Sequence, residues 1–189
     1  MQAPRWLGEF REDLEAFEGP RVCALGTRQG RVRMVVLRDI GDDGSLAFAS
    51  DARSRKNADI RKFPQGEACF WINALRVQWR LEGGCRIETA GSRWEQVWDD
   101  MSPRARALFL WPDSGRPFDP AAKFAEEFEG APVETYELIV LEPSVAERLD
   151  LTPHPHRRVM WEDSNALFVK TSGEPHQQSG GGQGLRVNP

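Results

Sequence analysis

The chain has 189 residues, 40% of them hydrophobic, and a formal net charge of -4. That length suits one domain, or one domain with a tail. The mild acidity gives no reason to expect nucleic acid or an anionic membrane as partner, so a basic site has to be local. Cys23, Cys69 and Cys85 are odd in number and widely spaced. That pattern suits neither a disulfide framework nor a zinc site and reads as buried thiols in a reducing cytosol. Residues 1–10 have no apolar signal region. No stretch approaches the roughly 18 apolar residues of a membrane span, so the chain reads as soluble, cytoplasmic and off the membrane.

Taken in order, Trp6, Phe10, Leu14 and Phe17 recur at helical spacing and predict a short amphipathic helix ended by Gly19-Pro20. Strand patterns follow over 22–27, 31–38 and 46–50, joined by turns at Arg28-Gln29-Gly30 and Gly41-Asp42-Asp43-Gly44. A helix is expected over 54–63, stopped by Pro64, then strands over 68–73 and 77–88. The middle reads as helical. Ser92 is placed to cap a helix carrying Trp94, Val97, Trp98 and Met101, a second runs near 104–111, and a third covers about 120–128 after a loop at 112–119. Strand patterns return over 133–142, 157–161 and 166–171. Residues 1–171 are taken as one domain. Residues 172–189, rich in Gly, Gln and Ser, are taken as a flexible tail.

Many short strands with hairpin turns and a few interrupting helices favour a mainly β (α+β) small barrel over a parallel sheet. No glycine-rich phosphate loop follows a strand, which argues against a Rossmann or P-loop site.

The run Arg53-Ser54-Arg55-Lys56 is the most informative for chemistry. With Ser54 as N-cap, Arg55 and Lys56 occupy a first helical turn, where the macrodipole disfavours cations and a bound anion would reverse the sign. A solvated basic helix is the other reading, since Arg61 and Lys62 continue the charge. Arg33 and Arg38 are five positions apart on a strand and point to opposite faces unless a bulge intervenes. Gln78 lies between Val77 and Trp79 and offers both a donor and an acceptor to a heteroaromatic edge, or simply faces solvent. His154, His156 and His176 are the only histidines. No third ligand accompanies His154-Pro155-His156, so no metal is expected, and no Ser-His-Asp or Cys-His order suggests a covalent hydrolase.

In order and spacing, RMVVLR (33–38), SLAFASDARSRK (45–56), Phe63-Pro64, LRVQWRLEG (75–83) and PHPHRRVMW (153–161) resemble the pyridoxamine 5'-phosphate oxidase-like FMN-binding family. The resemblance implies a split β-barrel with a few flanking helices, binding FMN in a groove at a homodimer interface. It assigns Arg33, Arg55 and Lys56 to the FMN phosphate. The backbone around Met34, Val35 and Val36, with Ala49 and Ser50, would line the flavin, Gln78 would meet its edge, and Arg158 would be a further contact. Arg38 and His156 become substrate-steering candidates for an FMN-dependent oxidoreductase, with a phosphorylated B6 vitamer as the implied substrate.

The chain departs from the oxidases at Arg38, where they have Lys, and at His154, where they have Arg. A family Trp falls at Arg148 or Leu149, and the family's Tyr, Arg and Ser of the middle helix have no clean match among Trp98, Ser102, Arg104 and Arg106. Residues 185–189 are similar to the family's C-terminal end. A nicotinamide-dependent flavin reductase on the same barrel, a non-catalytic flavin-binding module and a barrel for haem or a deazaflavin are the alternatives.

Overall fold

The computed structural model describes residues 3–27, 30–113, 116–117, 119–162 and 185–187. The strands are β1 (Val22–Thr27), β2 (Arg31–Ile40), β3 (Leu46–Asp51), β4 (Gln65–Ile72), β5 (Val77–Glu88), β6 (Tyr136–Asp150), β7 (Arg157–Glu162) and β8 (Leu185–Val187). They form one antiparallel sheet in the order β3-β2-β1-β4-β5-β6-β7-β8. A further β3–β6 pairing, from Leu46↔Leu141 to Asp51↔Tyr136, closes the first six into a barrel. The helices are α1 (Leu7–Leu14), α2 (Arg55–Lys62), α3 (Ser92–Asp99) and α4 (Pro103–Ala107), with a 3-10 turn at Leu108–Leu110. None is long and apolar enough to cross a membrane.

Alternation fixes the register. On β5, Val77, Trp79, Leu81 and Cys85 are buried, while their neighbours are half-buried or exposed. The barrel interior holds Leu25, Phe48, Phe70, Trp79, Leu81 and Ile139. α1 packs over this core through Trp6, Phe10 and Leu14; Phe10 meets Phe70 and Trp79 edge-on, with centroids 5.2 Å apart in each case. Asp13 fixes the same helix. It accepts from Trp79 Nε1 (2.7 Å) and from Arg148 Nε (2.7 Å) and Nη2 (3.2 Å).

The first half of β6 is buried on both faces. Ile139 and Leu141 point into the barrel, and Tyr136, Leu138 and Val140 point into a second cluster with Val97, Trp98, Met101 and Phe109. The strand then shifts register at Glu82/Gly83, where Gly83 faces Pro143. A Cβ on Gly83 would lie 1.9 Å from the Glu142 carbonyl oxygen, so only glycine allows this approach. Beyond the bulge β6 serves β5 and β7.

Two expectations need correction. Residues 120–128 form no helix. Phe128 N–H donates to the Pro103 carbonyl (3.0 Å) and the Ala125 carbonyl accepts from Trp111 Nε1 (2.8 Å). Phe128 packs on Trp98 while Phe124 stays 45% exposed, so the segment buries one ring and no helical stripe, and it is too short to be helical unaided. Ser92 does not cap α3; Gly91, at φ 108°, holds the N-cap position. The Arg28-Gln29 turn, the 166–171 strand and the tail over 172–184 lie outside the described residues. Leu185–Val187 pairs with β7 at Met160–Arg158.

Candidate functional site

β3 ends at Asp51 and the chain enters α2 through Ala52, Arg53 and Ser54. Ser54 takes the extended backbone of an N-cap (φ -71°, ψ 149°). Its hydroxyl donates to Asn57 Oδ1 (3.0 Å) and accepts from Lys56 Nζ (3.2 Å), and among the described residues it caps no backbone N–H. The first turn therefore carries Arg55 and Lys56 and no acid. Arg33 reaches the same helix from β2. Its Nη1 donates to Thr27 Oγ1 (2.9 Å) and the Arg31 carbonyl (3.1 Å), and its Nη2 to Asp59 Oδ2 (3.4 Å). Burial pushes the Lys56 amine below its usual value, and the charge of Arg33 pushes it further, against a pull from Asp51. Cations crowded at the positive end of a helix are unfavourable alone and favourable around an oxyanion.

A buried polar network fixes this helix end. Ser50 hydroxyl donates to Asn57 Oδ1, Asn57 Nδ2 donates to Glu137 Oε2 (2.6 Å), and Arg61 pairs with the other oxygen of Glu137. Asn57, Ser50 and Glu137 are each nearly inaccessible, so every bond replaces one to water. Ser50 thus holds α2 against β3, and Ala49 beside it packs on the second cluster. On the outer side of the same turn Arg53 binds both oxygens of Asp51 (2.9 and 2.5 Å), Asp113 (2.7 Å) and the Trp111 carbonyl (2.9 Å), pinning segment 111–113 beside α2.

The sheet's outer face leads away from this point. On β2, Val35 is core while Met34 is 65% exposed and Val36 half-buried. Register places Met34 opposite Ala24, Ala24 opposite Cys69, and Cys69 opposite Arg80. In the next row Trp71, Gln78, Leu149 and Arg158 stand opposite one another in turn. Gln78 and Arg158 share one face two strands apart, about 10 Å. Glu147 receives Arg158 Nη2 at 2.5 Å; Arg158 Nε is buried without a partner among the described residues.

Residues 5–89 match the family described as the pyridoxamine 5'-phosphate oxidase FMN-binding domain. A pyridoxamine 5'-phosphate oxidase-related, FMN binding protein from Nostoc punctiforme superposes with a TM-score of 0.75 at 25% identity, over 86% of this chain and 93% of that one. Over residues 5–89 the chain is similar to the pyridoxamine 5'-phosphate oxidase-like FMN-binding family, and its fold is a split barrel like that of the Nostoc protein. It is 30% identical over 131 residues to a pyridoxine/pyridoxamine 5'-phosphate oxidase of Erythrobacter litoralis, covering 66% of this chain and 61% of that protein. It is 25% identical over 130 residues to a pyridoxine/pyridoxamine 5'-phosphate oxidase 2 of Arabidopsis thaliana, covering 63% and 66%. The chain thus spans less than two thirds of the length of these relatives. A structure of PhzG from Burkholderia lata, in complex with tetrahydrophenazine-1-carboxylic acid, shares the fold at a TM-score of 0.74 and 19% identity, over 98% and 89% of the two chains.

The barrel of this split-barrel protein brings together Arg33, Lys56, Ser50 and the first turn of α2. It leaves the other expected residues apart. Arg38 sits at the β2 bulge between Leu37 and Asp39, exposed, on the side of Tyr136. The buried Tyr136 phenol is pushed up by burial, which the charge of Arg38 only partly offsets. His156 is exposed in the turn before β7, with Nδ1 3.1 Å from the Pro153 carbonyl oxygen. Arg148 points inward to Asp13, so Leu149 is the residue beside Gln78. Trp98 is fully buried and donates to the Gly130 carbonyl (3.0 Å), and Arg106 binds the Trp98 and Asp99 carbonyls (2.9 and 2.7 Å). Among the described residues no three His, Cys, Asp or Glu side chains gather as metal ligands. Thr27, Asp59, Asn57 and Glu137 were not singled out from sequence; nothing in their spacing marks them, because β1, β6 and α2 meet only in the fold.

Proposed function

We propose that the chain binds FMN and works as a homodimeric FMN-dependent oxidoreductase. The observation that carries this is the convergence of Arg33 and Lys56 at the acid-free N-terminus of α2. Backbone N–H groups, dipole and charge suit a phosphate dianion there, and Arg55 adds a third cation at the rim. Arg33, Arg55 and Lys56 hold the phosphate. The backbone at Met34, Val35 and Val36, with Ala49 and Ser50 beside it, flanks the ribityl and flavin, Gln78 meets the flavin edge, and Arg158 is a further contact. The flavin supplies the redox chemistry; the protein supplies orientation and charge.

A second copy is supported by the apolar outer face, where Val32 and Met34 are each 65% exposed and Trp71 44% exposed, a surface that favours burial against a partner. Arg38 and His156 steer the substrate, and a phosphorylated B6 vitamer is the first candidate. One observation favours a second reading. Trp98 and Arg106, in the middle helices, are already committed to packing and backbone carbonyls, so neither is offered to a substrate phosphate. That arrangement suits a nicotinamide-dependent flavin reductase, or a flavin-holding module without turnover.

The test is an absorbance spectrum of the purified chain after FMN addition and desalting, then oxygen uptake with pyridoxine 5'-phosphate and, separately, NADH and NADPH oxidation. Retained FMN with uptake supports the oxidase. Retained FMN with nicotinamide oxidation selects the reductase, and retained FMN without either selects the module. Loss of all flavin on desalting overturns the cofactor assignment.

A further inference from the structure

Asp59 lies one turn into α2 and is the acid that pairs with Arg33. Its side chain is 11% exposed and takes two arginines from β2, Arg31 Nη1 at 2.8 Å on one oxygen and Arg33 Nη2 at 3.4 Å on the other. Thr27 Oγ1 stands 3.4 Å from that second oxygen and accepts Arg33 Nη1 at 2.9 Å. The two terminal nitrogens of Arg33 thus point together at Thr27 and Asp59, and the guanidinium is held by its far end.

A guanidinium has five N–H donors in a planar fork, and carboxylates or phosphates take two of them along one edge. Arg33 Nη1 gives both of its hydrogens, to Thr27 and to the Arg31 carbonyl, and Nη2 gives one to Asp59. The edge formed by Nε–H and the remaining Nη2–H has no protein partner among the described residues. A carboxylate inside a site for a dianion is repulsive unless it does something the site needs. Here it fixes the rotation of the fork. We propose that Asp59 is a positioning residue for the cofactor phosphate: it grips Arg33 by its Nη end, so that the Nε–Nη2 edge is left for two phosphate oxygens. This rests on the FMN reading above and adds to it the residue that sets how Arg33 is presented. It also predicts discrimination between flavins, since riboflavin has no phosphate and gains nothing from the edge.

The experiment titrates the full-length protein with FMN and with riboflavin, following flavin fluorescence, for the wild type, Asp59→Asn, Thr27→Val and Arg31→Ala. Asp59→Asn is expected to raise the FMN dissociation constant about tenfold and to leave that of riboflavin within about twofold. Thr27→Val, which keeps the shape and removes the partner of Nη1, lowers the same FMN-over-riboflavin preference. Arg31→Ala leaves it in place. An unchanged or tighter FMN constant in Asp59→Asn, or an equal loss for both flavins, overturns the positioning role. If Asp59→Asn does not fold, an unchanged preference in folded Thr27→Val does the same. A wild type that binds riboflavin as well as FMN overturns the phosphate site itself, and with it the role of Asp59.

Discussion

Replacing Lys56 by Met removes a charge while keeping a half-buried stem of similar length. A lysine that served only stability would lower the melting temperature when lost. Lys56 stands in the field of Arg33, at the helix end that repels cations. Its removal should leave the flavin-free protein at least as stable as the wild type. The penalty should instead fall on FMN. One charge-assisted contact is worth about 1.5–3 kcal/mol, which is about 10- to 150-fold in the dissociation constant. At FMN one hundred times the wild-type constant, mass action stabilises the wild type by about 2.7 kcal/mol and Lys56→Met by about 0.3–1.4 kcal/mol. For a chain of this length the wild-type shift is about 5–10 °C and the variant's about 1–5 °C. Thermal melts with and without FMN measure both quantities. A flavin-free melting temperature that drops several degrees while the FMN shift survives intact refutes the reasoning.

Asp13→Ala leaves Trp79 Nε1 and the Arg148 guanidinium without their main acceptor under α1. It should cost about 3 kcal/mol in a denaturant melt, and a loss below about 1 kcal/mol would show that Glu9 and Asp150 suffice for Arg148. Burial pushes the Cys23 and Cys85 thiols up to about 12 each. At pH 8 only about one in ten thousand of each is thiolate, so a thiol reagent should modify neither until the protein is unfolded, when all three cysteines react; rapid native modification of more than one thiol per chain contradicts the fold. Burial alone would raise the Asp51 carboxyl, but the hydrogen bonds and charge of Arg53, with Lys56 behind, hold it below the usual carboxylate value. A depressed native value gives stability that is full above about pH 4 and lost as pH falls through it. The melting temperature of Asp51→Asn should therefore fall less than the wild type's between pH 5 and pH 3; parallel curves count against the clamp at Arg53.

The barrel was legible wherever one face alternates. β1, β2 and β5 begin where the patterns over 22–27, 31–38 and 77–88 predict, because more and less buried residues take turns there, and β3 begins at Leu46 as predicted although Leu46, Ala47 and Phe48 are buried in succession. The helix at 54–63 was marked by Ser54 and Pro64, and α2 lies within it. β6 was read eight residues short, since its second half, past Pro143, carries Glu147 and Arg148 among apolar neighbours and loses the strand signature. The helix over 120–128 failed for a different reason: its apolar spacing is helical, yet Phe124 meets Trp111 at the surface and Phe128 packs on Trp98 from a non-helical segment. At the site, the misplaced cations Arg55 and Lys56 could be seen from sequence because the macrodipole is a local property. The role of Asp59 could not, because a β2 arginine and an α2 carboxylate 26 residues apart meet only after the hairpin folds. For Arg33 and Arg38 to reach one site, one of them needed a strand end or a bulge, and only the β2–β3 register reveals the irregularity between Leu37 and Asp39.

The closure of the barrel by β3 and β6 has a consequence for synthesis. Leu46 and Leu141 must meet, so nearly one hundred residues separate the strands of the last seam. A nascent chain that ends before Tyr136 carries β3 and β5 with open edges and most of an apolar interior facing water. Such long-range pairing folds slowly and leaves unpaired strands exposed to other chains. The ribosome must therefore release β6 before any cooperative unit exists, and fragments cut between α3 and β6 should aggregate where the whole chain does not.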